Sequence, residues 1–277
     1  ALPLPGGGAR IALLSERELF RALPGIKSVR SGVANLFVRG RGAALSVNEN
    51  CDPTVRSDME QALARIVPGG ETQPGAADAR SLLLSPSLTL PVTSGALSFG
   101  TWQGVYLARL NSDAAGELVI TVASGEATQA DFTFNAGRRC GHPIDKEVET
   151  ALARSPKRAC LSPGERSGDA AGTLLVHEKH TSASLSLAGA DLEPAMRAVV
   201  PESWNDEFFQ HTHEGPDDMP GHVKSTLLGC GVAVPVAGGS PALGGQQRIQ
   251  LNEHRDVGGW GCGHSRRVQV TELPGGE

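Results

Sequence analysis

Apolar and polar positions along the chain follow two periods, and each period marks a kind of element. Ser15 and Glu18 make a capping box ahead of Leu19, Phe20 and Leu23, which predicts a short helix. Val55, Met59, Leu63 and Ile66 recur at helical spacing after Asp52-Pro53 and stop at Pro68-Gly69-Gly70, which predicts a second. Residues 143–153, with Ile144, Val148 and Leu152 on one face, and residues 193–200 before Pro201 predict two more. β-Branched, alternating segments at 88–92, 104–110, 118–122, 232–236, 248–254 and 268–271 predict strands.

The same order of elements occurs twice. Residues 36–46 read LFVRGRGAALS and residues 176–186 read VHEKHTSASLS, which sets Gly40 on His180 at a spacing of 140. LLSPSLTLPV from Leu83 matches LLGCGVAVPV from Leu227 at a spacing of 144. The chain therefore reads as two tandem α+β domains, 1–126 and 127–277, each a β-sheet sandwich with two helices packed on it. The polar stretch 124–136 is the junction, although Phe132-Thr133-Phe134 reads as a strand of the second copy. Residues 162–172, rich in Gly, Ser and charge, read as a surface loop.

Composition narrows the function classes. A chain of 277 residues that is 39% hydrophobic and 20% charged has material for two folded cores. Its net charge of -5 provides no basic field for a nucleic acid. Five scattered cysteines without a CxxC pair fit neither a disulfide framework nor a zinc ribbon, and point to a reducing compartment, cytoplasm or organelle interior. Every apolar run is broken well short of the roughly 18 residues of a membrane helix, so a soluble chain is expected. A start at Ala1 fits a removed targeting peptide and a trimmed chain equally.

The candidate chemistry lies in the second copy. Lys179-His180-Thr181-Ser182-Ala183-Ser184, then His211 to Lys224, then Glu253-His254-Arg255-Asp256 bring imidazoles, carboxylates and cations within one half of the chain. Imidazoles bind divalent metals and move protons near neutral pH, and neighbouring carboxylates orient them. Lys179, Lys224 and Arg255 add charge suited to a phosphate. A single histidine in a sheet protein is ordinarily a packing or surface residue, so the cluster is the signal; His177, His213 and His264 read as ordinary side chains. Asp218 reads as the N-cap of a helix from Met219 to Leu228 closed by Gly229, with His222 in its first turn. Along the strand 248–254, His254 shares a side with Gln250 and Asn252, while Glu253 and Arg255 point to the other.

These segments resemble the YjbQ-like family, the secondary thiamine-phosphate synthases, whose single domain carries KHTSAS, NENADP, EGPDDMPAHIKSSLLG, GTWQGIYL and EHRD segments. The resemblance spans nearly all of both halves. It implies an α+β domain that assembles as a trimer, sites near subunit boundaries, a divalent metal (zinc or magnesium) and weak thiamine-phosphate synthase activity. The two copies depart from the pattern in opposite ways. The first has Arg39-Gly40-Arg41-Gly42-Ala43-Ala44 for KHTSAS and no histidine, yet keeps Asn48-Glu49-Asn50-Cys51-Asp52-Pro53 and Gly100-Thr101-Trp102-Gln103-Gly104. The second has Ala188-Gly189-Ala190 for NEN and Gly244-Gly245-Gln246-Gln247-Arg248 for GTWQG.

Complementary remainders suggest one composite site per chain; the alternative is independent decay of the copies, with Asn48 to Pro53 kept as a helix start and Trp102 as a core aromatic. His180, His211, His222 and His254 are the expected metal ligands. Asn48, Glu49 and Trp102 of copy one, with Ser182, are expected to bind substrate. His180, Glu214, Asp217, His222, Lys224 and Arg255 are expected to act in catalysis, with Lys224 and Arg255 offsetting phosphate charge and Asp217 or Glu214 assisting proton transfer. The function implied is a transferase acting on a small phosphorylated ligand. The alternative is a non-catalytic ligand-binding module or accessory subunit, a homo-oligomer or part of a larger assembly, with neither nucleic acid nor membrane as partner.

Overall fold

A computed structural model describes the chain except for residues 5–9, 70–72, 112–115, 126, 155–171, 257–263 and 276–277. Most of the loop expected at 162–172, together with Cys160 and Cys262-Gly263, lies outside the described residues.

The first repeat contains strands β1 (Leu2–Pro3), β2 (Arg10–Leu14), β3 (Ser31–Arg39), β4 (Ala43–Glu49), β5 (Ser87–Thr93), β6 (Ala96–Leu97), β7 (Gln103–Arg109) and β8 (Glu117–Ser124). The second contains β9 (Thr128–Ala136), β10 (Gly141–Pro143), β11 (Gly172–Glu178), β12 (Ala183–Ala188), β13 (Gly231–Ala237), β14 (Ser240–Pro241), β15 (Arg248–Glu253) and β16 (His264–Pro274). Sheets in the first repeat run β1-β8-β3-β5-β6 and β2-β7-β4. Those in the second run β9-β16-β11-β13-β14 and β10-β15-β12, the same order with each strand advanced by eight. Matching backbone hydrogen bonds fix the equivalence: Val38 N to Pro86 O at 2.9 Å answers Glu178 N to Cys230 O at 2.8 Å, and Leu45 N to Ser85 O at 2.8 Å answers Leu185 N to Gly229 O at 2.9 Å.

Helices α1 (Glu16–Ala22), α2 (Thr54–Ile66) and α3 (Ala76–Leu84) belong to the first repeat. Helices α4 (Asp145–Ala153), α5 (Glu193–Val199), α6 (Trp204–Glu207) and α7 (Asp218–Leu228) belong to the second. The expected capping box of α1 is present, with Ser15 and Glu18 each bonding the other's main chain. Helix α3 was not expected: Ala76 and Ser81 face inward over a stretch whose small residues show little helical period. Two helices per sandwich is thus too few. The junction is also shorter than expected, because β9 runs from Thr128 and pairs along its length with β16 as an edge of the second repeat's sheet.

Each repeat fills the space between its sheets with its own apolar core, Leu36, Leu45, Leu90 and Leu107 in the first and Leu174, Val176, Leu251 and Val270 in the second. A third apolar cluster joins the repeats. Val55, Met59 and Leu63 of α2 pack with Val200, Trp204, Phe209, Met219 and Val223 of the second repeat. The face of α2 that the periodicity picked out therefore points at the other repeat, with Met59, Leu63, Met219 and Val223 all fully buried. A polar contact borders this seam: Gln129 Nε2 donates to Val92 O at 2.9 Å, and Lys179 Nζ to Ser98 Oγ at 2.9 Å. Among the described residues no helix is long and apolar enough to cross a membrane.

Candidate functional site

Strand β4 ends in Asn48 and Glu49, and the turn that follows carries Asp52 into α2. Opposite lie residues 208–217, which carry His211, and α7, which carries His222. The two segments of chain meet because α2 and α7 pack against each other in the apolar seam. Asp58, fully buried on α2, accepts the main-chain N–H groups of Gln210 at 2.7 Å and His211 at 2.8 Å through Oδ2. A long loop is thereby fixed at the residue that matters.

Both imidazoles are oriented by the first repeat. Asp52 Oδ2 lies 2.7 Å from His211 Nδ1, and Asn48 Oδ1 lies 2.7 Å from His222 Nδ1. Asn48 is held in turn, its Nδ2 donating to His222 O at 2.9 Å and Thr226 Oγ1 at 2.6 Å. Acceptors at both Nδ1 atoms place the ring protons there and turn the Nε2 atoms inward. Glu49 Oε2 lies 3.5 Å from His222 Nε2 and 3.9 Å from His211 Nε2. Glu49, His211 and His222 are the described group of His, Cys, Asp and Glu side chains whose donor atoms fall within 4.8 Å of one another, as metal ligation requires.

Asp218 adjoins them, Oδ2 3.0 Å from His211 Nε2 and Oδ1 3.6 Å from His222 Nε2. It does not cap the helix: the capping position is Asp217, and neither side chain bonds the first turn. Asp218 is the first helical residue, and its carboxylate turns toward the two rings and toward Arg255 Nη1 at 2.9 Å. Its Oδ2 is buried without an aligned hydrogen-bond donor, although it is close to His211. An acceptor of that kind beside two inward Nε2 atoms fits a cation.

The electrostatics of the site differ from ring to ring. Burial opposes a charge on His211, but the carboxylates of Asp218 and Asp52 beside the ring outweigh it and push the imidazole up to about 9, so a metal ion at Nε2 would displace a proton. Burial dominates at His222 and pushes it down to about 4. Burial also raises the Glu49 carboxyl and holds His180 well below the usual imidazole range.

The remaining expected residues fall in three places. Arg255 lies at the rim, its Nη1 2.9 Å from Glu214 Oε2 and its Nε 3.5 Å from Asp217 Oδ1. His180 stands at the seam with Nδ1 3.2 Å from the Ser182 N–H, and Ser182 is fully buried. Lys224 and His254 sit elsewhere: Lys224 Nζ is 2.6 Å from Glu193 Oε1, and His254 bridges Glu193 Oε2 at 2.8 Å and Ser184 Oγ at 2.9 Å. Both are completely buried, and Arg139, itself buried, lies over the same carboxylate. Lys224 is thus neutralised inside the fold, and His254 stands apart from the three converging donors because its strand side faces α5. His254 does share that side with Gln250 and Asn252, which bond each other at 2.9 Å.

Trp102 is 56% exposed, and its neighbour Gln103 makes the contact across the seam. Gln103 Nε2 donates to Glu178 O at 3.0 Å and His180 O at 2.9 Å. Asp52, Asp58, Asp218 and Gln103 were therefore missed as site residues. The preserved NENCDP and TWQG segments pointed to two of them, but not to which side chain reaches across. His177 is fully buried on β11, His213 is exposed, and His264 opens β16 with Nε2 against Asp256 O.

The family model for UPF0047 protein YjbQ-like matches residues 22–125 and again 131–274. The chain belongs to the YjbQ-like UPF0047 family. It is a tandem duplication within that family, and the first YjbQ-like repeat is the one without histidines. UPF0047 protein YjbQ of Salmonella typhimurium is 37% identical over 119 residues, 39% of this chain and 85% of that protein. UPF0047 protein sll1880 of Synechocystis is 35% identical over 109 residues, 35% of this chain and 73% of that protein. Among solved structures, a YjbQ/UPF0047 family protein from Clostridium acetobutylicum aligns over 44% of this chain and all of its own, at 21% identity and a TM-score of 0.39. A conserved hypothetical protein from Thermus thermophilus aligns over 44% of this chain and 98% of its own, at 27% identity and a TM-score of 0.38.

Proposed function

We propose that this tandem YjbQ-like chain is a transferase acting on a small phosphorylated ligand, of the thiamine-phosphate synthase type, with one composite site per chain. The observation that carries the reading is the approach of Glu49 from one repeat to the Nε2 atoms of His211 and His222 from the other. Those three residues would hold a divalent metal, zinc suiting the two nitrogens and one oxygen better than magnesium. Such an ion supplies offsetting charge for a phosphate or departing pyrophosphate.

The chain's own residues supply the rest. Arg255 is the cation at the rim, held by Asp217 and Asp218 and by the exposed Glu214, and its charge would offset that of a phosphate there. Asp218 is the acid–base group nearest both rings, with Asp217 and Glu214 behind it. His180, neutral and half-buried, lines the inner wall. Lys224 braces Glu193 and has no part in binding the ligand. Thiamine-phosphate formation from a pyrimidine diphosphate and a thiazole phosphate tests the reading. Wild-type turnover that is lost in His222→Ala and Arg255→Ala, with folding intact, supports it. Absence of product with added zinc or magnesium, or unchanged rates in both variants, defeats it.

A second reading, an accessory subunit that assembles with copies of itself, is favoured by Leu82. Its counterpart Thr226 is buried against Asn48 at the seam, whereas Leu82 on α3 is 76% exposed. Val199 on α5, the counterpart of the seam helix α2, is exposed as well. Light scattering distinguishes them: an assembled but metal-free and inactive chain favours the accessory role.

A further inference from the structure

The first repeat contains no histidine, yet the groups that orient both histidines belong to it. Asp58 Oδ2 accepts the main-chain N–H of His211 at 2.8 Å, and Asp52 Oδ2 meets the ring Nδ1 of the same residue at 2.7 Å. One carboxylate thus fixes where the residue stands and the other which way its ring faces. Both come from the entrance and first turns of α2, a helix locked to the second repeat by Met59 and Leu63. Asn48 does for His222 what this pair does for His211, gripping ring and main-chain carbonyl together.

A merely structural role is the competing account, in which Asp58 ties down a loop and nothing more. Against it stands the chemistry at Asp58. No cation pairs with this fully buried carboxylate among the described ion pairs, and its Oδ1 has no hydrogen-bond partner. A neutral side chain would bond the two N–H groups at lower desolvation cost. The negative charge is useful where it stands if the residue it holds carries positive charge, its own ring proton in the metal-free chain or a bound cation in its place.

We propose that the histidine-free repeat is the positioning half of a cation site, in which Asp52 and Asp58 control affinity through His211 without lending a ligand atom. This rests on reading Glu49, His211 and His222 as cation ligands. The eroded repeat then has a defined role, contributing one ligand, Glu49, and the rack that presents the other two.

Cobalt titration of the full chain, followed by visible absorption and by thermal unfolding, tests it. The variants are Asp52→Ala, Asp58→Asn and a control, Glu60→Gln, on the same helix but bonded to Ile11 N within the first repeat. The expected result is a Co²⁺ affinity weakened about tenfold or more in the first two, as for other carboxylates behind metal-bound imidazoles, and unchanged in the control. Should Asp58→Asn not fold, Asp52→Ala, at a partly exposed position, carries the comparison alone. Lower melting temperatures with wild-type affinity in both variants would overturn the positioning role while leaving the cation site intact. Failure of the wild-type chain to bind Co²⁺ at millimolar concentration would overturn the cation site, and the positioning role with it.

Discussion

The carboxylate of Asp52 lies 2.7 Å from Nδ1 of His211, and the two residues come from different repeats, 159 positions apart. The bond draws the proton to Nδ1. Partial burial opposes a charge on Asp52, but bonds from His211 and Thr54 outweigh it and hold the carboxyl down at about 2. Asp52→Ala should lower the stability of the metal-free chain by about 1–2 kcal/mol at pH 7, the range for a hydrogen bond to a charged group that keeps some solvent contact. Urea unfolding followed by tryptophan fluorescence checks it, with Trp204 in the seam as reporter.

Gly100 touches the second repeat so closely that a Cβ would collide with Lys179 O. The contact is main chain against main chain, so no side chain can move aside. Gly100→Ala should loosen the seam by several kcal/mol, seen as a second, earlier unfolding transition or a rise in protease cleavage between the repeats. A single unshifted transition would show that the seam tolerates displacement.

Lys224 and Glu193 form a buried pair at 2.6 Å. Removing one partner strands a charge, at a cost of about 3–5 kcal/mol, whereas removing both is far milder. Lys224→Met should therefore destabilise strongly, and Lys224→Met with Glu193→Gln should recover much of the loss. A Lys224→Met chain that keeps its stability but cannot bind inorganic phosphate would return this lysine to the ligand site.

His177 is completely buried, and burial pushes its imidazole down to about 3. The folded chain keeps this ring neutral while the unfolded chain protonates it below about 6.5, so stability falls as pH drops from 6.5 toward 3. At pH 5 the loss attributable to this residue is about 2 kcal/mol. His177→Phe, which installs the residue found at its counterpart Phe37, should flatten that acid limb in a pH series of urea melts. Glu178 acts in the opposite direction. Burial raises it to about 8, so its contribution to stability is lost as pH climbs from about 4.5 through 8.

The sequence was most informative where pattern and physics are local. The capping box of Ser15 and Glu18, the face of α2 through Val55, Met59 and Leu63, and the doubled strand order could all be read from spacing. Complementary losses in the two repeats also led to Asn48 and Glu49 on one side and His211 and His222 on the other. What stayed hidden depended on direction across the seam. Trp102 and Gln103 are adjacent, and only the packing of β7 decides that the glutamine points to His180 while the indole points to solvent. Asp218 precedes an apolar helix as a capping residue would, yet its carboxylate has two imidazoles and a guanidinium to meet, and they hold it more strongly than free N–H groups. Lys224 shares a motif with His222, but a helix turns about 100° per residue, and two positions suffice to send Lys224 to the opposite side. Asp58 carries no motif signal, because a buried acid that binds main-chain N–H groups cannot be told from a solvated helix acid by sequence.

Anomalous diffraction from crystals grown with zinc tests the central claim most directly. A single strong peak within about 2.0–2.2 Å of Glu49 Oε2 and of Nε2 in both His211 and His222 is the predicted result. A map with no peak between these atoms, or one placing the ion at His180 and His254 instead, would contradict it.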